Sequence, residues 1–237
     1  MIQIKERPIL FSAPMVRAIL EGRKTVTRRT MKVQPVLKGN FWEVYGAGWG
    51  KDVTSVPAAP GHSLSSNCPY GKPGDRLWVR ESWWQAGDWQ DTYPEDDTGA
   101  WFGSKRVVYS ADGTPPNEPN TSYPNGLRNG AYSAAAPNKI WRHRPSIHMN
   151  RWASRILLEI NDVRVERLQD ITEAQAKAEG VRLYTDHAEL GDWWHVEGIE
   201  TYSADPRKSF ELLWSSVGGD WQANPWVWVV EFKRVTP

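Results

Sequence analysis

Two short segments concentrate cationic side chains on a chain whose formal net charge is only +1. Residues 1–40 contain nine Lys or Arg against two Glu, and Trp141–Arg155 contains four Arg and two His without an acid. Guanidinium and ammonium groups gathered in this way bind phosphate or carboxylate, so the pattern predicts a focused anionic ligand rather than non-specific coating of nucleic acid. The alternative is that both segments are ordinary solvated faces.

The second of these segments is a candidate wall of the ligand cleft. Its candidate binding residues are Arg142, Arg144, His148 and Arg151, with Trp152 as a face on which a ring could stack. The chain contains 15 Trp, and an indole supplies apolar area for a core as well as a flat surface for a base. The alternative for this segment is surface charge beside one buried Trp.

Three helices that could position such a site are indicated by the residues at their ends. The predicted helices cover residues 13–21, 173–179 and 206–216. Ser12 and Gly22 bound the first helix. Thr172 and Gln175 form a capping-box pattern at the start of the second. All three helices are short, so they are expected to flank a sheet rather than to form a bundle.

Strands are predicted where β-branched and aromatic residues gather. These runs are Pro8–Phe11, Arg76–Arg80, Arg106–Tyr109, Arg155–Val165 and Trp226–Phe232. Strands far apart in sequence, with short helices between them, indicate the α+β class and a small mixed β-barrel.

Two long segments, residues 34–73 and 111–140, are rich in turn-forming residues and are expected to be irregular. The sequence predicts a single domain over residues 1–237, with insertions at about 34–73 and 84–140. Long loops of this kind are often functional lids.

The single cysteine, Cys68, excludes an internal disulfide framework and is typical of a reducing compartment. Charges at Lys5, Glu6 and Arg7 interrupt any apolar signal segment, and no run approaches the ~20 apolar residues of a membrane span. We therefore expect a cytoplasmic protein that does not enter a membrane. The spacing of His and Cys matches no zinc pattern and no nucleotide fingerprint is present, so neither a metal nor another cofactor is expected.

Several motifs, in order along the chain, resemble those of one family. EGRKTVTRR (Glu21–Arg29) resembles the basic signature of the ASCH family, and GDRLWVRE (Gly74–Glu81) its following barrel strand. ITEAQAKAEGV (Ile171–Val181) and PWVWVVEFKRV (Pro225–Val235) are similar to its later helix and terminal strand. RPSIHMNRWASRI (Arg144–Ile156) resembles the larger members found in phages and prophages. The resemblance implies a PUA-like barrel, related to RNA-associated domains, with a ligand cleft beside it.

One bacterial branch of that family hydrolyses the amide of N4-acetylcytidine with a lysine, a threonine three residues later and a distant glutamate. By motif these residues correspond to Lys24, Thr27 and Glu179. The resemblance implies that Thr27 is the nucleophile and Lys24 its base, provided that the pKa of Lys24 falls well below ~10.4. Glu179 would orient Lys24 or pass a proton to the leaving nitrogen.

The arginines of the same signature are candidate substrate-binding residues. Arg29 ends the motif and could hold a phosphate or a developing negative charge. Arg23 and Arg28 would also lower the pKa of Lys24 through charge repulsion. If residues 24–29 formed a regular strand, Lys24 and Thr27 would point to opposite faces, so their convergence requires a turn or bulge after Gly22.

Three functions remain open from the sequence. The first is hydrolysis of an amide on a modified cytidine or related nucleoside. The second is a non-catalytic module that reads RNA or a modified base in DNA, for which the basic signature would be only a phosphate-binding loop and Glu179 a solvated residue. The third is a metal-independent ribonuclease acting on single strands. A role in structure only is expected for Glu81, which could pair with Arg76 or with an arginine of the signature.

Overall fold

The computed structural model describes residues 4–46, 49–58, 64–93, 98–122, 139–184 and 191–236. The strands are β1 Glu6–Leu10, β2 Val26–Thr30, β3 Val36–Lys38, β4 Phe41–Val44, β5 Thr54–Pro57, β6 Arg76–Arg80, β7 Trp83–Tyr93, β8 Thr98–Tyr109, β9 Trp141–Arg144, β10 Leu157–Arg167, β11 Arg182–Leu183, β12 Trp194–His195 and β13 Trp226–Val235. The α-helices are α1 Ala13–Leu20, α2 Glu173–Ala178 and α3 Pro206–Ser216. The chain is therefore an α+β protein dominated by strands, as predicted.

Two compact units make up the chain. The first unit contains Met1–Ile9, Pro14–Trp78 and Ile156–Pro237, and the second contains Leu10–Ala13 and Val79–Arg155. No helix in the described ranges is long and apolar enough to cross a membrane.

The first unit is built around a five-stranded sheet with the strand order β1-β6-β10-β13-β2. β13 pairs antiparallel with both β10 and β2, and its residues 227–230 are buried in succession. Consecutive burial means that both faces of this strand are covered, as its continuous apolar run predicts. Within the described residues the sheet ends at β1 and β2, and no pairing closes it into a barrel.

The register of β2 against β13 assigns side chains to the two faces of this sheet. Arg29 lies opposite Trp228, and Thr27 lies opposite Val230. Directly opposed residues share a face and neighbours along a strand alternate. Thr27, Arg29 and Trp228 therefore share one face, and Arg28 points to the other.

The segment 34–73 forms a small antiparallel sheet, β3-β4-β5, instead of the irregular loop that its composition predicts. Lys38 pairs with Phe41 across a two-residue turn, and Gly39 in that turn has φ 57°. A Gly-Asn pair between short strands is a hairpin signal. Trp42 packs edge-on against Trp226, with ring centroids 4.9 Å apart, and so fixes the small sheet to the start of β13.

The second unit contains the sheet β8-β7-β9 and a core around Trp83, Met149 and Ala153. Its long hairpin packs indole rings directly on backbone. A Cβ at Gly87 would lie 2.7 Å from ring atoms of Trp101. Glycine is required there because any larger residue would displace the ring.

Candidate active site: a buried lysine–glutamate pair

The end of α1 places Lys24 in a turn rather than in a strand. Gly22 adopts φ 76°, and the backbone N–H groups of Arg23 and Lys24 both donate to the carbonyl of Ala18, at 2.9 and 3.0 Å. Strand β2 begins only at Val26. The turn after Gly22 that the predicted site requires is therefore present.

Two backbone bonds tie this turn to its neighbours. The N–H of Thr25 donates to the carbonyl of Ala178 at the end of α2, at 2.9 Å. The carbonyl of Thr25 accepts from Phe232 of β13, also at 2.9 Å. The turn is consequently held between the last turn of α2 and the central sheet.

Glu179 forms the C-cap of α2 and is followed by Gly180 with φ 108°. A Cβ at Gly180 would lie 3.4 Å from the Cβ of Ala18 and 3.8 Å from that of Lys24. These are ordinary van der Waals distances, so it is the left-handed backbone after α2 that favours glycine at this position.

Lys24 and Glu179 form a buried ion pair, with each residue only 3 % exposed. The Nζ of Lys24 donates to Glu179 Oε2 at 2.6 Å, to the Glu179 carbonyl at 2.8 Å and to the Val26 carbonyl at 2.9 Å. An ammonium group has three protons to donate, so these bonds use all of its donor capacity.

Arg28 connects the ion pair to Glu166 and Gln175. Its guanidinium donates to Glu179 Oε1 at 3.3 Å, to Glu166 Oε2 at 3.1 Å and to Gln175 Oε1 at 2.9 Å. Gln175 Oε1 also accepts from the N–H of Thr172 in the capping box at 2.9 Å. The start of α2, its end and β2 therefore share one set of buried polar contacts.

Burial is the main cause that lowers the pKa of Lys24 below its ordinary value. Glu179 opposes this shift, while the charges of Arg29 and Arg28 reinforce it. The Arg23 guanidinium instead donates to Glu21 Oε2 at 2.7 Å and to the carbonyl of Gly180 at 3.1 Å.

The structure thus brings Lys24 and Glu179 into direct contact, with Arg28 beside them. Thr27 is equally buried, at 3 % exposed, but the alternation of β2 points it to the face opposite Arg28. Convergence of Thr27 with the ion pair stays a prediction.

The second basic segment lies in the second unit, whereas Lys24, Thr27 and Glu179 lie in the first. Arg144 is half-buried in β9, and His148, Arg151 and Trp152 are exposed. Trp152 is 46 % exposed and meets Trp83 edge-on at 5.7 Å. That these residues bind the same ligand as the signature stays a prediction.

Arg142, the remaining candidate of this segment, places its guanidinium 4.0 Å from the centroid of the Trp101 ring. This distance is that of a cation–π contact. Arg142 therefore contacts an indole of β8, the strand on the other side of β7.

Glu81 has a structural role, as predicted, but its partner is Arg155 and not Arg76 or an arginine of the signature. The Arg155 guanidinium donates to both oxygens of Glu81, at 3.0 and 3.1 Å, and to both of Asp112, at 2.6 and 2.9 Å. It also lies 3.9 Å from the centroid of Tyr109. Burial raises the pKa of Glu81, and the contact with Arg155 counteracts the rise.

A cavity of about 270 Å³ opens at the far end of β2, away from Lys24. Its walls are Thr30, Met31, Lys32, Val33, Trp49, Pro69, Tyr70 and Trp228. Sequence reasoning missed this cavity, because two of its three aromatic residues come from the segment 34–73. The aromatic residues of this segment, Trp49 and Tyr70, were the sequence signal that could have indicated the cavity.

Comparison with protein-family models, with curated proteins and with solved structures finds no match to this chain. The ASCH resemblance consequently stays a prediction based on motifs.

Proposed function

We propose that this chain is an ASCH-type protein with a PUA-like fold that binds a modified nucleoside and hydrolyses the amide of an N4-acylated cytidine. The observation that carries the proposal is the buried contact of 2.6 Å between Lys24 and Glu179. Burial lowers the pKa of Lys24 although Glu179 opposes the shift, so Lys24 loses its proton more easily than an exposed lysine does.

The pair supplies an acid and a base together. Transfer of one proton from Lys24 Nζ to Glu179 Oε2, atoms that lie 2.6 Å apart, would convert the ion pair into an amine and a carboxylic acid. The amine then accepts a proton, while the carboxylic acid is ready to donate one.

Hydrolysis would proceed in two steps. In the first step, which requires the Thr27 hydroxyl to reach Lys24 Nζ from the face of β2 opposite Arg28, the hydroxyl oxygen attacks the acyl carbon and gives its proton to Lys24. The bond to N4 breaks as Glu179 protonates N4. In the second, water hydrolyses the acyl ester of Thr27, which releases the carboxylic acid and restores the hydroxyl. The side chains end as the ion pair that the structure contains.

The test is turnover of a panel of N4-acylated cytidines, free and within RNA. Thr27→Ser keeps the proposed nucleophile, whereas Thr27→Val removes it at nearly the same shape. We expect product from the native protein and from Thr27→Ser, with kcat reduced by about 10²-fold or more in Thr27→Val and Glu179→Gln. Lys233→Ala changes an exposed lysine of β13 and should match the native protein. Absence of product from the native protein on every substrate overturns the hydrolase proposal.

A second candidate, a binding module without catalysis, is favoured by the saturation of the Lys24 ammonium. All three of its protons have acceptors, two of which are backbone carbonyls. Such a group could serve only to fasten the turn to α2. Binding of single-stranded RNA that weakens steeply with salt, without turnover, would identify this alternative.

A further inference from the structure

We propose that the cavity at the end of β2 binds one nucleoside monophosphate unit, with its base against the aromatic walls and its phosphate at Lys32. This proposal rests on the proposed function and names the site that would hold the substrate's nucleotide. It uses residues outside the lysine–glutamate pair.

The walls of the cavity suit a planar aromatic ligand. Trp49, Tyr70 and Trp228 contribute three aromatic side chains to eight lining residues. Nucleobases stack on such rings without needing a particular sequence. Its volume of about 270 Å³ is near the lower end of the range for small-molecule sites, and it suits one nucleotide better than a dinucleotide.

The charge at the cavity suits a phosphate. Among the described lining residues, Lys32 is the only charged one, and its side chain is exposed at the rim. Arg29 lies close enough to Tyr70 for its charge to oppose the rise in the pKa of that phenol. One lining cation, the nearby charge of Arg29 and the absence of a carboxylate among the described lining residues favour an anionic ligand over neutral cytidine alone.

The cavity opens on the sheet face that carries Thr27. Trp228 stands opposite Arg29 in the register of β13 and β2 and so shares its face with Arg29 and Thr27. Thr27 is two residues from Arg29, about 7 Å along the strand. A base stacked on Trp228 would therefore lie on the same face of the sheet as the proposed nucleophile.

Hydrogen bonds made by the segment 34–73 fix the side of the cavity that Trp49 forms. Gln34 accepts from the N–H of Trp226 at 2.7 Å and donates to the carbonyl of Met31 at 2.8 Å. The N–H of Trp49 donates to the carbonyl of Gly46 at 2.7 Å. The indole of Trp49 is thereby held beside the end of β2, and this is the function that we assign to the insertion.

Isothermal titration calorimetry with cytidine 5′-monophosphate, cytidine and ribose 5-phosphate tests the site. Trp49→Ala should weaken the monophosphate by about tenfold or more, while Trp193→Ala, at an exposed tryptophan outside the cavity, should leave its affinity unchanged. Lys32→Ala should weaken the monophosphate but not cytidine, and Lys105→Ala, at an exposed lysine of the second unit, is its control. A parallel titration with tetracytidylate shows whether the cavity accepts a nucleotide within RNA as well as a free nucleotide.

The outcomes distinguish this proposal from the hydrolase proposal. Binding of the monophosphate that depends on Trp49 and Lys32, without turnover of acylated cytidine, supports the cavity and rejects hydrolysis. Turnover by the native protein with equal affinity in Trp49→Ala and Trp193→Ala overturns the cavity and leaves hydrolysis standing. No binding of the monophosphate to the native protein at millimolar concentration also overturns the cavity.

Discussion

Removing either partner of the buried ion pair should destabilise the first unit by clearly different amounts. Loss of one member of a buried pair typically costs ~3–5 kcal/mol, because the other charge stays desolvated. Lys24→Met leaves the Glu179 carboxylate with Arg28 at 3.3 Å, so we expect a cost near the lower limit. Glu179→Gln leaves Lys24 without its counter-ion beside Arg28, so we expect a cost near the upper limit.

The double variant Lys24→Met with Glu179→Gln gives the coupling between the two residues. Because neither desolvated charge of the pair remains, its cost should be smaller than the sum of the single costs by ~1–3 kcal/mol. Two compact units need not unfold in one transition, so the measurement should be local. Hydrogen exchange of the Thr25 and Phe232 amides, whose bonds tie the turn to α2 and β13, reports this region directly.

The pH dependence of the same exchange checks the direction of the pKa shift. The folded protein lowers the pKa of Lys24, so between that pKa and the unfolded value of about 10.4 the unfolded chain binds more protons. Stability from this group therefore rises with pH across that alkaline window, in the native protein but not in Lys24→Met. Costs below ~1 kcal/mol for both single variants, or an identical alkaline profile in Lys24→Met, would refute the reasoning.

Two further perturbations have definite expected results. Gly180→Ala should cost ~1–3 kcal/mol by urea unfolding, because φ 108° is strained for alanine; an unchanged midpoint would contradict a left-handed backbone at this position. Arg155→Ala should destabilise the second unit by ~3–5 kcal/mol, because Glu81 is left buried and unpaired, and the loss should shrink as pH falls through the raised pKa of Glu81. Arg151→Ala, at an exposed arginine, is its control, and a loss independent of pH would assign the effect to packing on Tyr109 instead.

The ends of the helices could be predicted because their signals are local. The capping box of Thr172 and Gln175 and the stop at Gly22 appear where the sequence predicts them. Strands β6 and β13 were also found from their β-branched and aromatic runs. The sheet β3-β4-β5 was missed, because three- and four-residue strands are too short for alternation to be recognised.

The contacts of the site could not be predicted from local pattern. Lys24 and Glu179 are 155 residues apart and Glu81 and Arg155 are 74 apart, and nothing in either neighbourhood specifies the partner. The first pair was anticipated only because a family motif names both residues. The second was missed, since no motif connects Glu81 to Arg155. The cavity required the fold of an insertion that was expected to be irregular.

Strand β2 separates the basic signature into two kinds of residue. Arg28 points toward Glu166 and Glu179, where its side chain has no exposed area, so its charge stabilises the packing of α2. Arg29 points to the opposite face, which it shares with Thr27 and with Trp228 of the cavity wall. Alternation along β2 therefore places one arginine of the signature against Glu166 and Glu179 and the next on the face of the cavity wall. On this basis Arg29→Ala should weaken binding of the monophosphate more than Arg28→Ala does, whereas Arg28→Ala should cost more stability.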